Sequence, residues 1–148
     1  MRKGKANNRG FTIGELLIVL GIVLAVVFLL QPFVQQTTEK VDRAGCISNL
    51  RELGRAMFIY AREHHKQFPL TIKTLYEEEY LADAGILDCP ATKKIGTLDD
   101  PEYIYTPGLS VTDPSEMELI KDFEGNHSGG HSVLTVDGTV FWQESSDK

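Results

Sequence analysis

Gly10-Phe11-Thr12-Ile13-Gly14-Glu15 leads directly into Leu16–Leu30, a run without one polar side chain. Counted from Phe11 to Val34, this stretch would be about 36 Å long as a helix at about 1.5 Å per residue. About 20 residues suffice to cross a bilayer, so the segment can span one. Arg2, Lys3, Lys5 and Arg9 precede it with no acid among them, a local charge of +4. That excess of base places the N-terminus on the cytoplasmic side and the remainder outside.

Three readings of the segment compete. A cleaved secretory signal wants a shorter apolar core followed by small residues in an A-x-A pattern. Gln31-Pro32-Phe33-Val34-Gln35 supplies no such site. A plain membrane anchor explains the length but gives no role to Glu15, a carboxylate five residues into the run. A charge in hydrocarbon costs several kcal/mol, so one found there usually has a partner or a function, unless it sits at headgroup level. Cutting between Gly10 and Phe11 would create an α-ammonium four residues before Glu15. The carboxylate of one subunit could then neutralise the amine of its neighbour when apolar helices bundle, a device for self-assembly.

Gly10-Phe11-Thr12-Ile13-Gly14-Glu15-Leu16-Leu17 resembles the leader junction of type IV pilins and of the pseudopilins of type II secretion. The resemblance implies cleavage after Gly10 by a prepilin peptidase, methylation of the new N-terminal Phe11, and a role for Glu15 in assembly. Pro32 stands where that family commonly has a helix-kinking proline, which removes a backbone bond and favours a bend or local melting. Gly14 departs from the family, which usually has a bulky aliphatic there, and costs about 1 kcal/mol of helix propensity.

Beyond Pro32 the helical pattern persists. Cys46, Leu50, Leu53, Met57, Tyr60 and His64 form a one-sided stripe, opposed by Asp42, Arg43, Asn49, Arg51, Glu52, Arg55, Arg62 and Glu63. The helix therefore changes from apolar all round to amphipathic, as expected where its second half meets a globular layer. It should end near His65, before Phe68-Pro69, and would measure about 80 Å from Phe11 if unbroken. Residues 71–81 predict a second helix, capped by Thr71, with Leu75, Tyr76 and Tyr80 inward and Glu77-Glu78-Glu79 solvated. Tyr103-Ile104-Tyr105 and Met117–Ile120 read as strands. Ser132–Val136 and Thr139–Trp142 flank Asp137-Gly138 as a hairpin. The expected fold is α+β and pilin-like: a long N-terminal helix on an antiparallel sheet of three or four strands. Its divisions are a leader 1–10, a transmembrane half 11–34, an amphipathic half 35–66 and a headpiece 67–148.

The chain of 148 residues fits one such headpiece on a stalk, and its composition excludes collagen, wholesale disorder and disulfide-dense miniproteins. Removing the basic decapeptide leaves residues 11–148 at −10, which argues against broad binding of nucleic-acid backbone. Outside the cytoplasm, two cysteines in an otherwise cysteine-free chain favour a Cys46–Cys89 disulfide over two buried free thiols. Two cysteines alone are too few for a structural zinc site. His127, His131, Asp122 and Asp137 could offer imidazoles and carboxylates to a metal. On the Gly-rich loop Asn126–His131, however, the expected role of a histidine is to bond a backbone carbonyl or the Asp137 carboxylate. No nucleophile elbow, P-loop, dinucleotide fingerprint or HExxH occurs, so neither enzymatic activity nor a cofactor is expected.

His127, nine intervening residues, then Asp137-Gly138 is similar to the H-x9-DG element of a bacterial subgroup of prepilin-like proteins. Cys46–Gly54 and Leu87-Asp88-Cys89-Pro90 also resemble segments of that subgroup. We expect His127 to pin its loop to the turn at Asp137-Gly138. The two resemblances imply a structural subunit of a type II secretion pseudopilus or type IV pilus. It would sit in the inner membrane with its headpiece periplasmic, in membrane lipid before joining a filament. Its partners would be related pilin subunits, the prepilin peptidase and the inner-membrane assembly platform. The alternative is an anchored periplasmic binding or scaffold protein that never polymerises.

Overall fold

The computed structural model describes residues 12–145. The leader 1–10 with the cleavage residue Gly10, and also Phe11, lie outside the described residues. Helix α1 runs Ile13–Glu63. The chain divides into two units at Thr37/Thr38.

In the first unit every described residue to Val34 is exposed, including Leu16, Leu17, Phe28 and Phe33. The most apolar window of α1 has a mean hydropathy of 3.0, and the helix is long and apolar enough to cross a membrane. Its start is a capping box. The Thr12 backbone N–H and hydroxyl donate to Glu15 Oε2 at 2.9 and 3.0 Å, and Glu15 N–H donates to Thr12 Oγ1 at 3.3 Å. The helix continues unbroken through Pro32, so the local melting considered there does not occur.

The second unit holds the headpiece. Its sheet is a meander of β1 (Tyr103–Tyr105), β2 (Glu118–Asp122), β3 (Gly130–Thr135) and β4 (Val140–Glu144), antiparallel throughout and in chain order. A register irregularity between Glu118 and Ile120 interrupts the β2–β3 ladder. The Asp137-Gly138 hairpin forms where the sequence placed it. Gly138 has φ 86°, and Thr135 N–H donates to the Thr139 carbonyl at 3.0 Å.

Cys46, Leu50, Leu53, Met57 and Ala61 bury the inner stripe of α1 in one core with Leu119, Ile120, Leu134 and Val136. Gly54 lets Leu134 approach, since a Cβ there would stand 3.2 Å from Leu134 Cδ1. α1 stops two residues before His65, in a turn where His65 and Lys66 take φ of 55° and 66°. Such a backbone disfavours continuation of a right-handed helix.

Helix α2 is shorter than expected, Ile72–Glu77, with Thr71 accepting from Thr74 N–H as its cap. Glu79 at φ 63° ends it. Leu75 is buried and Tyr80 packs on the core, but Tyr76 is exposed and Ile72 takes the inward place. Glu77, Glu78 and Glu79 are solvated. A 3-10 turn, Ala84–Leu87, follows.

Candidate metal centre

Four buried side chains from four separate segments converge beneath α1. Cys46 comes from the inner stripe of the helix, and Cys89 from the loop after the 3-10 turn. Asp122 is the last residue of β2, and His127 lies in the turn that leads to β3. One ligand atom from each lies within 4.8 Å of all the others. The approach of the loop to the helix depends on Gly45, on whose bare backbone Pro90 rests.

Asp122 Oδ2 is the hub. Cys46 Sγ donates to it at 3.2 Å, His127 Nε2 stands 3.1 Å away, and Cys89 Sγ is at 3.8 Å. Cys89 Sγ and His127 Nε2 are 3.4 Å apart. The outer atoms of the acid and the imidazole are also placed. Asn126 Nδ2 donates to Asp122 Oδ1 at 2.8 Å. His127 Nδ1 faces Glu39 Oε1 at 3.3 Å without hydrogen-bond geometry, while Ser128 N–H donates to that same oxygen at 3.1 Å. Trp142 lies edge-on to the His127 ring. Cys89 N–H donates to Glu102 Oε2 at 2.9 Å, which holds the loop in place.

The expected disulfide is not formed: Cys46 and Cys89 are both free thiols. Their sulfurs are engaged instead with Asp122 and His127. The contact between the two sulfurs, with burial, pushes the Cys46 thiol up. The same contact holds the Cys89 thiol below its ordinary value, against the opposing effect of burial. The two thiols are thus shifted in opposite directions, Cys46 upward and Cys89 downward. Burial also raises the phenol of Tyr103, which lies next to Cys46.

The other expected contacts of the His-rich loop are corrected. His127 does not reach Asp137, whose Oδ1 accepts from Thr135 Oγ1 at 2.7 Å and from Thr139 N–H at 2.9 Å. The two residues flank β3, whose six residues separate them by about 20 Å at about 3.3 Å each. His131 is buried on β3 with both ring nitrogens unpartnered, and it is not a member of the cluster. Glu39, Asn49 and Asn126 are supporting residues that sequence reasoning missed. Asn49, expected on the solvent side, instead donates to the Asp88 carbonyl at 2.9 Å and steadies the Cys89 loop. Compared with models of protein families, with curated proteins and with solved structures, the chain gives no match.

Proposed function

We propose that the chain is a prepilin-like structural subunit, cleaved after Gly10, N-methylated at Phe11 and assembled through residues 11–34 into a pseudopilus or pilus filament. One observation carries this reading. A single helix is apolar on every exposed face from Leu16 to Leu30 and then, past the unit boundary, buries a one-sided stripe under a small sheet. A helix apolar all round needs lipid or sister helices about it, whereas the amphipathic part is already served by its own headpiece. Repeated head-to-tail packing of the apolar part gives an open helical polymer.

The capping box supports a second reading. Glu15 already has Thr12 as its partner within the chain, which suits a membrane-anchored periplasmic scaffold that never polymerises. In the filament reading, Glu15 exchanges Thr12 for the α-ammonium of a neighbouring subunit.

N-terminal sequencing and intact mass of the protein from its native membranes separate the two. A chain beginning at methylated Phe11 is expected. An uncut chain beginning at Met1, in cells with an active prepilin peptidase, would leave the anchored scaffold. Glu15→Gln should abolish incorporation into filaments without reducing the amount of protein in the membrane.

A further inference from the structure

We infer that Cys46, Cys89, Asp122 and His127 form a closed, four-ligand structural site for a zinc-type divalent cation. The distances fit a tetrahedron built around such an ion. With metal–sulfur bonds of about 2.3 Å and metal–nitrogen or metal–oxygen bonds of about 2.0–2.1 Å, sulfur lies about 3.5 Å from nitrogen or oxygen, and nitrogen about 3.3 Å from oxygen. The observed separations are 3.2 and 3.8 Å from sulfur to Asp122 Oδ2, 3.4 Å from Cys89 Sγ to His127 Nε2, and 3.1 Å from His127 Nε2 to Asp122 Oδ2.

Electrostatics points the same way. The Asp122 side chain has no solvent exposure, and among the described residues no lysine or arginine is paired with it. Asn126 serves Asp122 Oδ1, but Oδ2 meets only the His127 imidazole and two thiols, which are weak donors, so a cation among them would compensate the buried charge more fully. Two thiolates and one carboxylate around a divalent ion would carry a net charge of only −1, which a buried site can hold. The donor set mixes soft sulfur with imidazole and carboxylate, which suits zinc and disfavours calcium or magnesium.

Of the residues behind the ligands, Asn126 is hydrogen-bonded to Asp122 and Glu39 stands near the outer nitrogen of His127 without bonding it. A zinc-bound histidine usually presents its other nitrogen to a carboxylate, and a ligating carboxylate is itself hydrogen-bonded. Glu39 stands 3.3 Å from His127 Nδ1, and Asn126 holds Asp122 Oδ1. All four ligands come from protein and are buried, so no coordination position is open to substrate. The ion would tie α1, the Cys89 loop, the end of β2 and the turn before β3 into one unit.

The test uses the full chain in detergent, isolated without reductant and equilibrated with zinc ion alone. Bound metal is measured by plasma mass spectrometry after passage through metal-free buffer, and thiols are counted by alkylation. About one zinc per chain is expected, with both thiols protected until a chelator is added. Replacing zinc by cobalt should give the strong visible bands of a tetrahedral thiolate complex. Asp122→Asn and His127→Gln should each weaken zinc binding by at least about 10-fold, while His131→Ala leaves it unchanged. The wild-type measurements stand even where a variant folds poorly. Freely reactive thiols with no retained zinc would overturn the assignment. So would a chain two hydrogens light with a Cys46–Cys89 bond, or full zinc affinity in the Asp122 and His127 variants.

Discussion

Pro90 rests on the bare backbone of Gly45: a Cβ at Gly45 would stand 3.0 Å from Pro90 Cγ and 3.7 Å from Pro90 Cβ. The contact joins residues that each precede or follow a cysteine, so it sets how closely Cys46 and Cys89 approach. Gly45→Ala gains up to about 1 kcal/mol of helix propensity while pushing a loop that can give by tenths of an ångström. Its net effect on stability should fall within about 1 kcal/mol. Gly45→Val, branched at Cβ, should destabilise by about 1–3 kcal/mol and move the Cys89 loop outward. Chemical denaturation of the detergent-solubilised chain measures both, and faster alkylation of Cys89 in the valine variant reports the displacement.

Leu53 lies at the centre of the buried stripe, with no solvent exposure. Leu53→Ala should cost about 2–5 kcal/mol, because the helix and sheet on either side cannot collapse into the space. The same substitution at Leu16, exposed and outside the headpiece, should leave the headpiece transition unmoved. Near-ultraviolet circular dichroism during denaturation would separate the two.

The guanidinium of Arg43 stands over the ring of Trp142, 3.7 Å from its centroid. Trp142 is the sole tryptophan of the chain, so all tryptophan emission reports on this one ring and its neighbours. Arg43→Ala should shift the emission and destabilise by about 0.5–1 kcal/mol, the usual worth of a cation over an exposed aromatic face. Because Trp142 also touches His127, zinc bound at the inferred site should make the same emission respond to chelator in the wild type, and not in His127→Gln.

Asp137 is exposed in the hairpin turn, yet its carboxyl is held below the ordinary carboxylate range. The hydrogen bond from the Thr135 hydroxyl is the larger cause, and that from Thr139 N–H adds to it. A lowered folded value means that this group stabilises the hairpin at pH above the unfolded value, and that the contribution disappears as pH falls through the folded one. Carboxyl carbon resonances followed by nuclear magnetic resonance should show Asp137 titrating below the other exposed aspartates. Thr135→Val should move it upward.

The long helix and the closing hairpin were legible because each rests on local periodicity: a stripe at helical spacing, and β-branched runs about Asp137-Gly138. Thr71 was legible as a cap for the same reason, although the left-handed backbone at Glu79, which shortens α2, leaves no mark in residue type. The four-residue cluster was legible only in part. Asp122 and His127 stand together among the metal candidates, but Cys46 and Cys89 lie 76 and 33 residues before Asp122, and only the fold brings them to it. The regular H-x9-DG spacing drew His127 toward Asp137, but a strand of six residues lies between them and sends the histidine to the opposite end of the sheet. Cysteine arithmetic paired Cys46 with Cys89 in space correctly and missed the acid and imidazole that share their company.

The meander has a consequence for the order of events during synthesis. Cys46 meets Asp122 across 76 residues of chain, and Glu39 meets Ser128 across 89. The apolar stripe of α1 is thus made early and covered late, by Leu134 and Val136 some 70 or more residues after Met57. Contacts of such long sequence separation close slowly, because loop entropy is lost before they form. A nascent chain halted before Leu134 therefore carries a stripe without this cover and is prone to aggregate, and the headpiece becomes competent only after the last hairpin has emerged.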